Sequence, residues 1–114
     1  YKEIDKIFKN IIKEYKNINY KVIENKDGLF IDKNNKFIKI LCNVFNNEIK
    51  GNYKPIISGG ATYARAFKNF VAYGANLPNN IDMSHKTDEY ISIDNLLLAL
   101  RVYAKAIYEL TKEK

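Results

Sequence analysis

The sequence is poor in the residues that usually announce a special architecture. It holds one Cys, one His, one Met, no Trp, two Pro and five Gly. A single Cys excludes an internal disulfide and any Cys-rich zinc site, and it suits a reducing cytoplasm. Cys42 lies among Ile40, Leu41 and Val44, so a small buried hydrophobe is a simpler reading than a nucleophile. So few Gly and Pro exclude a collagen-like or linker-dominated chain. No apolar run approaches the ~20 residues that span a bilayer, and nothing at the start has the basic-then-apolar pattern of a signal peptide. An initiator Met is also missing. Tyr1 therefore reads as a cut end, and the chain as a piece of a longer protein.

What is present suffices for one packed domain: 114 residues, of which 46% are hydrophobic and 13% aromatic. Nineteen Lys+Arg against thirteen Asp+Glu give a net charge of +6, which brings nucleic acid into consideration. The make-up of that charge argues the other way. Only Arg65 and Arg101 are Arg, the usual bidentate reader of phosphate and guanine, and the rest is Lys. Asn and Ile are abundant too, as in proteins of AT-rich genomes, where Lys rises without a binding role. Neither nucleic acid nor a membrane is expected as a partner.

Along the chain, Ile4, Ile7, Phe8, Ile11, Ile12 and Tyr15 recur at helical spacing with Lys between them. This predicts an amphipathic helix with one apolar stripe and a solvated basic face. Residues 20–24 have strand character, followed by the turn chemistry of 25–28, and Leu29-Phe30-Ile31 is a second short apolar run. Helical spacing returns from Asn34 through Ile49, with Gly51 placed as a helix-ending residue. Short strands are expected at 55–57 and 70–73. A polar loop from Ala75 to Thr87 then leads to a last helix from about Ile93 to Leu110, capped by Ser92. That helix is apolar round most of its circumference, with Arg101, Lys105, Glu109 and Lys112 on one polar stripe, so burial on several sides is expected. The class is mixed α/β.

Little here carries chemistry by composition. Ser58-Gly59-Gly60-Ala61-Thr62 lacks the Gly-Lys-Ser/Thr of a phosphate loop and is not a dinucleotide fingerprint. A Gly-Gly pair after a strand lets a backbone approach a ligand closely, but a tight turn explains it more simply. Thr62 is able either to offer a hydroxyl to a ligand or to cap the turn that follows. His85 has acidic neighbours, Asp82 before it and Asp88 and Glu89 after it. Imidazole is a common metal ligand, yet zinc wants three or four protein ligands and this chain has one His. No second His or activated Cys completes a triad, so the chain is not a complete enzyme.

Three stretches nevertheless carry a family resemblance. Ser58-Gly-Gly-Ala-Thr-Tyr-Ala-Arg-Ala66, Asn69-Phe-Val-Ala-Tyr-Gly74 and His85-Lys-Thr-Asp-Glu-Tyr-Ile-Ser-Ile-Asp94 resemble, in order and spacing, the C-terminal end of PepV-type dipeptidases. These belong to the dinuclear-zinc peptidase superfamily with the carnosinases and aminoacylases. Ala104 to Leu110 is similar to the family's last helix, and the match is specific from about Leu29 onward. The resemblance implies a fragment of a two-domain zinc-peptidase fold. Residues 1–28 would end a lid domain, and 29–114 would be the C-terminal part of the catalytic α/β sandwich. It implies that His85 is the last metal ligand of a two-zinc centre and that Gly59, Gly60, Ala61 and Thr62 form the loop meeting the dipeptide substrate. Glu89 then has a supporting role beside the ligand rather than a catalytic one.

Two departures stand out. Ala61 occupies the third position of the family's Gly-Gly-Gly-Thr, and Asp88 replaces the Asn usual before the Glu. The remaining metal ligands and the general-base Glu would all lie upstream of Tyr1. In the family, two zinc ions polarise the scissile carbonyl and activate a water. One His cannot hold that pair, so weak zinc binding and no hydrolysis are expected of this chain alone. Self-association through uncovered edges is also expected. Two rivals remain open: a non-catalytic partner-binding domain of the same ancestry, and a basic nucleic-acid module, whose signature is a steep salt dependence.

Overall fold

The computed structural model describes residues 2–15, 17–25, 28–60, 62–74, 76–78 and 80–112. Its regular elements are α1 (Lys2–Ile12), α2 (Lys36–Ile49), a single 3-10 turn (Tyr63–Ala66) and α3 (Ile93–Lys112). Among the described residues, α2 and α3 are the only pair of helices that pack together.

Each of these two helices begins where its capping chemistry places it. The Asn35 side chain accepts from the Phe37 N–H at 2.9 Å, and Ser92 Oγ accepts from the Asn95 N–H at 3.3 Å. The apolar spacing of α2 buries Ile38, Leu41 and Val44 and that of α3 buries Ala99, Val102 and Ala106; of these, Leu41, Val44 and Ala106 pack in one cluster between the two helices. Val102 is 1% exposed and is the largest fully buried side chain among the described residues. Phe37, Ile40, Val71, Tyr73 and Leu110 flank the cluster of Leu41, Val44 and Ala106. Edge-on ring contacts then run from Tyr53 to Phe45 (5.8 Å), on to Tyr73 (6.2 Å) and from there to Tyr103 (6.1 Å).

The Tyr73 hydroxyl ends in this cluster, donating to the Leu41 carbonyl at 3.0 Å. Burial pushes it from the ordinary value of 10 to about 12, with Cys42 and Tyr103 adding to the rise. Its protonated form is thus favoured by folding. The stabilisation is intact below pH ~10 and is lost as pH rises from there through the folded value. Urea midpoints measured between those limits should fall more steeply for the native chain than for Tyr73→Phe; equal slopes would count against this assignment.

The α2 terminus differs from its sequence reading. Lys50, not Gly51, takes the left-handed conformation (φ 56°, ψ 51°), and no described glycine has positive φ. Gly51 is required for another reason: Tyr53 folds back so closely that a Cβ at Gly51 would overlap its ring. Asn46 holds that fold-back, accepting from the Tyr53 N–H at 2.6 Å and donating to the Tyr53 carbonyl at 3.0 Å. Gly51→Ala should displace the ring from Phe45 and cost about 1–3 kcal/mol, the usual range for overpacking. Thermal unfolding of the variant tests this, and an unchanged midpoint would contradict it.

Two further expectations are corrected. No strand forms among the described residues: 20–24, 29–31, 55–57 and 70–73 all lack ladder pairing. A strand exists only when a neighbour takes its hydrogen bonds, and these segments have none. Their alternation survives, for Val71 and Tyr73 are half-buried while Phe70 and Ala72 are exposed. Nor is α3 buried on several sides. It covers one stripe against α2, and Leu96, Leu97, Leu100 and Ile107 remain more than half exposed. In α1 no residue is buried. Its Phe8 stacks on Tyr20 at 5.9 Å, and Tyr20 donates to the Asp5 carboxylate, which also pairs with Lys9 at 2.7 Å. The Lys9 and then the Tyr20 hydrogen bond hold the Asp5 carboxyl below its usual range.

Candidate functional site

The loop before α3 is built by short side-chain bonds to backbone. Asp82 accepts from the Ser84 N–H at 3.0 Å, and the hydrogen bonds from Ser84 hold its carboxyl below the ordinary range. Lys86 donates to the Met83 carbonyl at 3.1 Å, closing the turn. His85 sits within it at φ 62°, in the left-handed region where His, Asn and Asp are the side chains most often tolerated. Asp88 is left-handed as well, at φ 58°, a conformation that Asp tolerates better than most side chains. The reversal at Asp88 brings Glu89 back toward His85, where its carboxylate accepts from the His85 N–H at 3.4 Å. The loop is tied to the rest of the chain by buried Leu77 and by Asn95, which donates to Asn80 at 2.8 Å.

The outcome is an exposed imidazole on a fixed backbone. Its ring makes no hydrogen bond, ion pair or ring contact among the described residues. Glu89 engages the main chain, not the ring, and therefore sets where the ring stands without orienting its nitrogens. Left-handed non-glycine backbone is strained, and such strain gathers at functional sites.

The second group lies at 58–62. Ser58 Oγ accepts from the Gly60 N–H at 3.2 Å. Thr62 caps the 3-10 turn, its Oγ1 accepting from the Ala64 N–H at 3.3 Å, and buried Ala64 anchors that turn. Gly59 and Gly60 are exposed. A Cβ on Gly59 would meet nothing within 4 Å, and one on Gly60 would lie 3.4 Å from Ser58 Oγ, an ordinary contact. Neither backbone angle nor crowding within the chain explains this pair. Ala61 lies outside the described residues. No hydrogen bond, ion pair or ring contact joins this loop to the His85 turn among the described residues.

Sequence reasoning missed the links that shape both loops. Ser58 and Asn69 had detectable signals: a Ser two residues before a Gly N–H, and an Asn able to take the left-handed φ of 59°. The Asn80–Asn95 bond spans fifteen residues and leaves no local signature.

A metal fits this chain only in part. Among the described residues, no three His, Cys, Asp or Glu side chains come together to hold an ion. Among the described residues, the single imidazole of His85 is a quarter of the tetrahedral set that zinc prefers. No helix among the described residues is long and apolar enough to cross a membrane.

Comparison with known proteins supports the peptidase family, the coarser part of the sequence resemblance. A family model described as "Peptidase family M20/M25/M40" matches residues 4–109. Relatives include three proteins bearing the name "Putative dipeptidase". That of Staphylococcus epidermidis is 38% identical over 84 residues, covering 74% of this chain and 18% of the relative. YtjP of Bacillus subtilis is 44% identical over 75 residues, covering 66% and 16% respectively. The Staphylococcus haemolyticus protein is 37% identical over 84 residues, again 74% and 18%. The chain thus spans less than a fifth of the length of these relatives. No solved structure matches it at a significant level. A match extending over nearly the whole chain leaves one conclusion: the chain belongs to peptidase family M20/M25/M40.

Proposed function

We propose that this chain is the C-terminal part of a cytoplasmic zinc dipeptidase of the PepV type. Its residues 1–28 end a lid domain, and 29–114 complete an α/β catalytic domain. His85 supplies one zinc ligand, and Gly59, Gly60, Ala61 and Thr62 face the dipeptide, with Glu89 steadying the ligand's backbone. The observation that carries the reading is the His85 turn. A strained, exposed imidazole without a partner of its own is fixed by a carboxylate on its main chain, within a chain that belongs to a peptidase family. The glycine pair supports it, because no internal packing reason accounts for two adjacent open glycines. Close approach by a ligand does account for them.

The remaining ligands and the general base lie outside these residues, so the chain alone should show only weak zinc affinity and no dipeptide turnover. Calorimetric zinc titration paired with a dipeptide hydrolysis assay tests this directly. Tight binding accompanied by turnover would sink the proposal.

A further inference from the structure

Carboxylates on either side of His85 shape its turn from within. Glu89 accepts from the His85 N–H at 3.4 Å, and Asp82 accepts from the Ser84 N–H at 3.0 Å. The Ser84 hydroxyl and, more weakly, the Asn76 side chain also favour the ionised form of Asp82. Two residues then attach the loop to the helices. Leu77 is buried, and the Asn80 side chain accepts from Asn95 Nδ2 at 2.8 Å. Asn95 stands in the first turn of α3, its N–H bonded to Ser92 Oγ at 3.3 Å, and α3 packs on α2.

The two attachments do different work. Apolar burial is non-directional, so Leu77 holds the loop down and leaves it able to swing. A hydrogen bond is directional, and a second point of attachment removes the swing. Asn80 is also the nearer of the two, five residues before His85. The chain between them is stiffened by the Asp82 bond and by the Lys86 N–H, which donates to the Met83 carbonyl at 3.1 Å. His85 and Asp88 are both left-handed, at φ 62° and 58°. Such backbone persists only where its surroundings over-determine it. The Glu89 bond comes from inside the strained turn, whereas the Asn80–Asn95 bond brings a packed helix to bear on it.

We infer that Asn80 and Asn95 are positioning residues for His85: their side-chain bond fastens the loop to the first turn of α3 and sets where the imidazole stands. Its consequence for zinc rests on the function proposed above. The bond and its effect on the backbone do not.

The test uses the chemistry of the pair. An amide both donates and accepts, whereas a carboxylate only accepts. Asn80→Asp keeps the acceptor that Asn95 already meets. Asn95→Asp is met by Asn80 turning its NH2 toward the new carboxylate. Each single variant therefore keeps the bond. With both replaced, two carboxylates face each other and repel. Asn80 is exposed and Asn95 half-buried, and Asp suits the first turn of a helix. Helical circular dichroism should therefore be kept in all three variants.

Labelling with ¹⁵N-histidine gives one backbone amide, that of His85. Its order parameter should stay near ~0.85 in the native chain and in both single variants, and fall below ~0.6 in the double variant. Zinc is then titrated into each chain co-expressed with B. subtilis YtjP from which the segment matching this chain has been deleted. The double variant should lose at least about 10-fold in affinity and each single variant less than about 3-fold, against the 10–100-fold usual for residues supporting a metal ligand. Added negative charge would by itself favour a cation, so a loss reports position and not charge. An unchanged order parameter in the double variant would overturn the inference. So would equal falls in the single variants, or native zinc affinity in the double. His85→Ala with unaltered zinc affinity would instead strike the proposed function, and the order parameter, which needs no metal, would still decide the positioning role.

Discussion

Replacing Val102 with Asp is expected to abolish the cooperative unfolding of the chain. Val102 is 1% exposed on the helix that packs against α2, and no polar side chain is buried among the described residues. A carboxylate there is left without a partner, at a cost of several kcal/mol however it is accommodated. Domains of this size hold only about 5–15 kcal/mol in total, and this one has a thin core. The neighbouring Arg101→Ala removes an exposed ion pair with Glu48 (3.0 Å) and should cost less than about 1 kcal/mol. Circular dichroism during urea unfolding separates the two. A native-like midpoint for Val102→Asp would mean that the α2–α3 contact does not hold the fold together.

On the proposed function, the second large effect is expected at His85 once the chain is co-expressed with B. subtilis YtjP from which the segment matching this chain has been deleted. In a complex of this chain with the deleted YtjP, zinc-dependent dipeptide hydrolysis should fall at least about 100-fold on His85→Ala. Even supporting residues around a metal commonly cost 10–100-fold. Glu89→Ala should cost less, because its carboxylate touches the His85 backbone and not the imidazole. Steady-state rates across a zinc titration check both variants. Equal losses from the two would contradict the assigned division between ligand and support.

The helices were largely legible in the sequence because their information is local. The spacing of Ile38, Leu41 and Val44 and the cap at Ser92 need no distant partner to act. The strands were legible only as pattern. Val71 and Tyr73 turn inward while Phe70 and Ala72 face out, but pairing depends on a neighbour that the chain does not provide. The same limit explains α3. Its apolar circumference pointed to burial on several sides, and among the described residues only α2 covers it, along one stripe. At the candidate site, the sequence pointed to His85 among acidic residues. It could not show the left-handed backbone at His85 and Asp88, or that Glu89 reaches the main chain. Gly51 taught the opposite lesson. It matched a helix-ending pattern, yet the ring of Tyr53 and not a positive φ accounts for it.

The most direct measurement uses the fact that His85 is the chain's only His. Labelling this chain alone with ¹⁵N-histidine gives one imidazole spectrum, which can be followed as zinc is added. The account predicts that in the complex with the deleted YtjP the His85 ring nitrogens shift on addition of stoichiometric zinc. In the chain alone they should stay in place at the same concentration. An imidazole that remains unshifted in a zinc-loaded complex would contradict its role as a ligand.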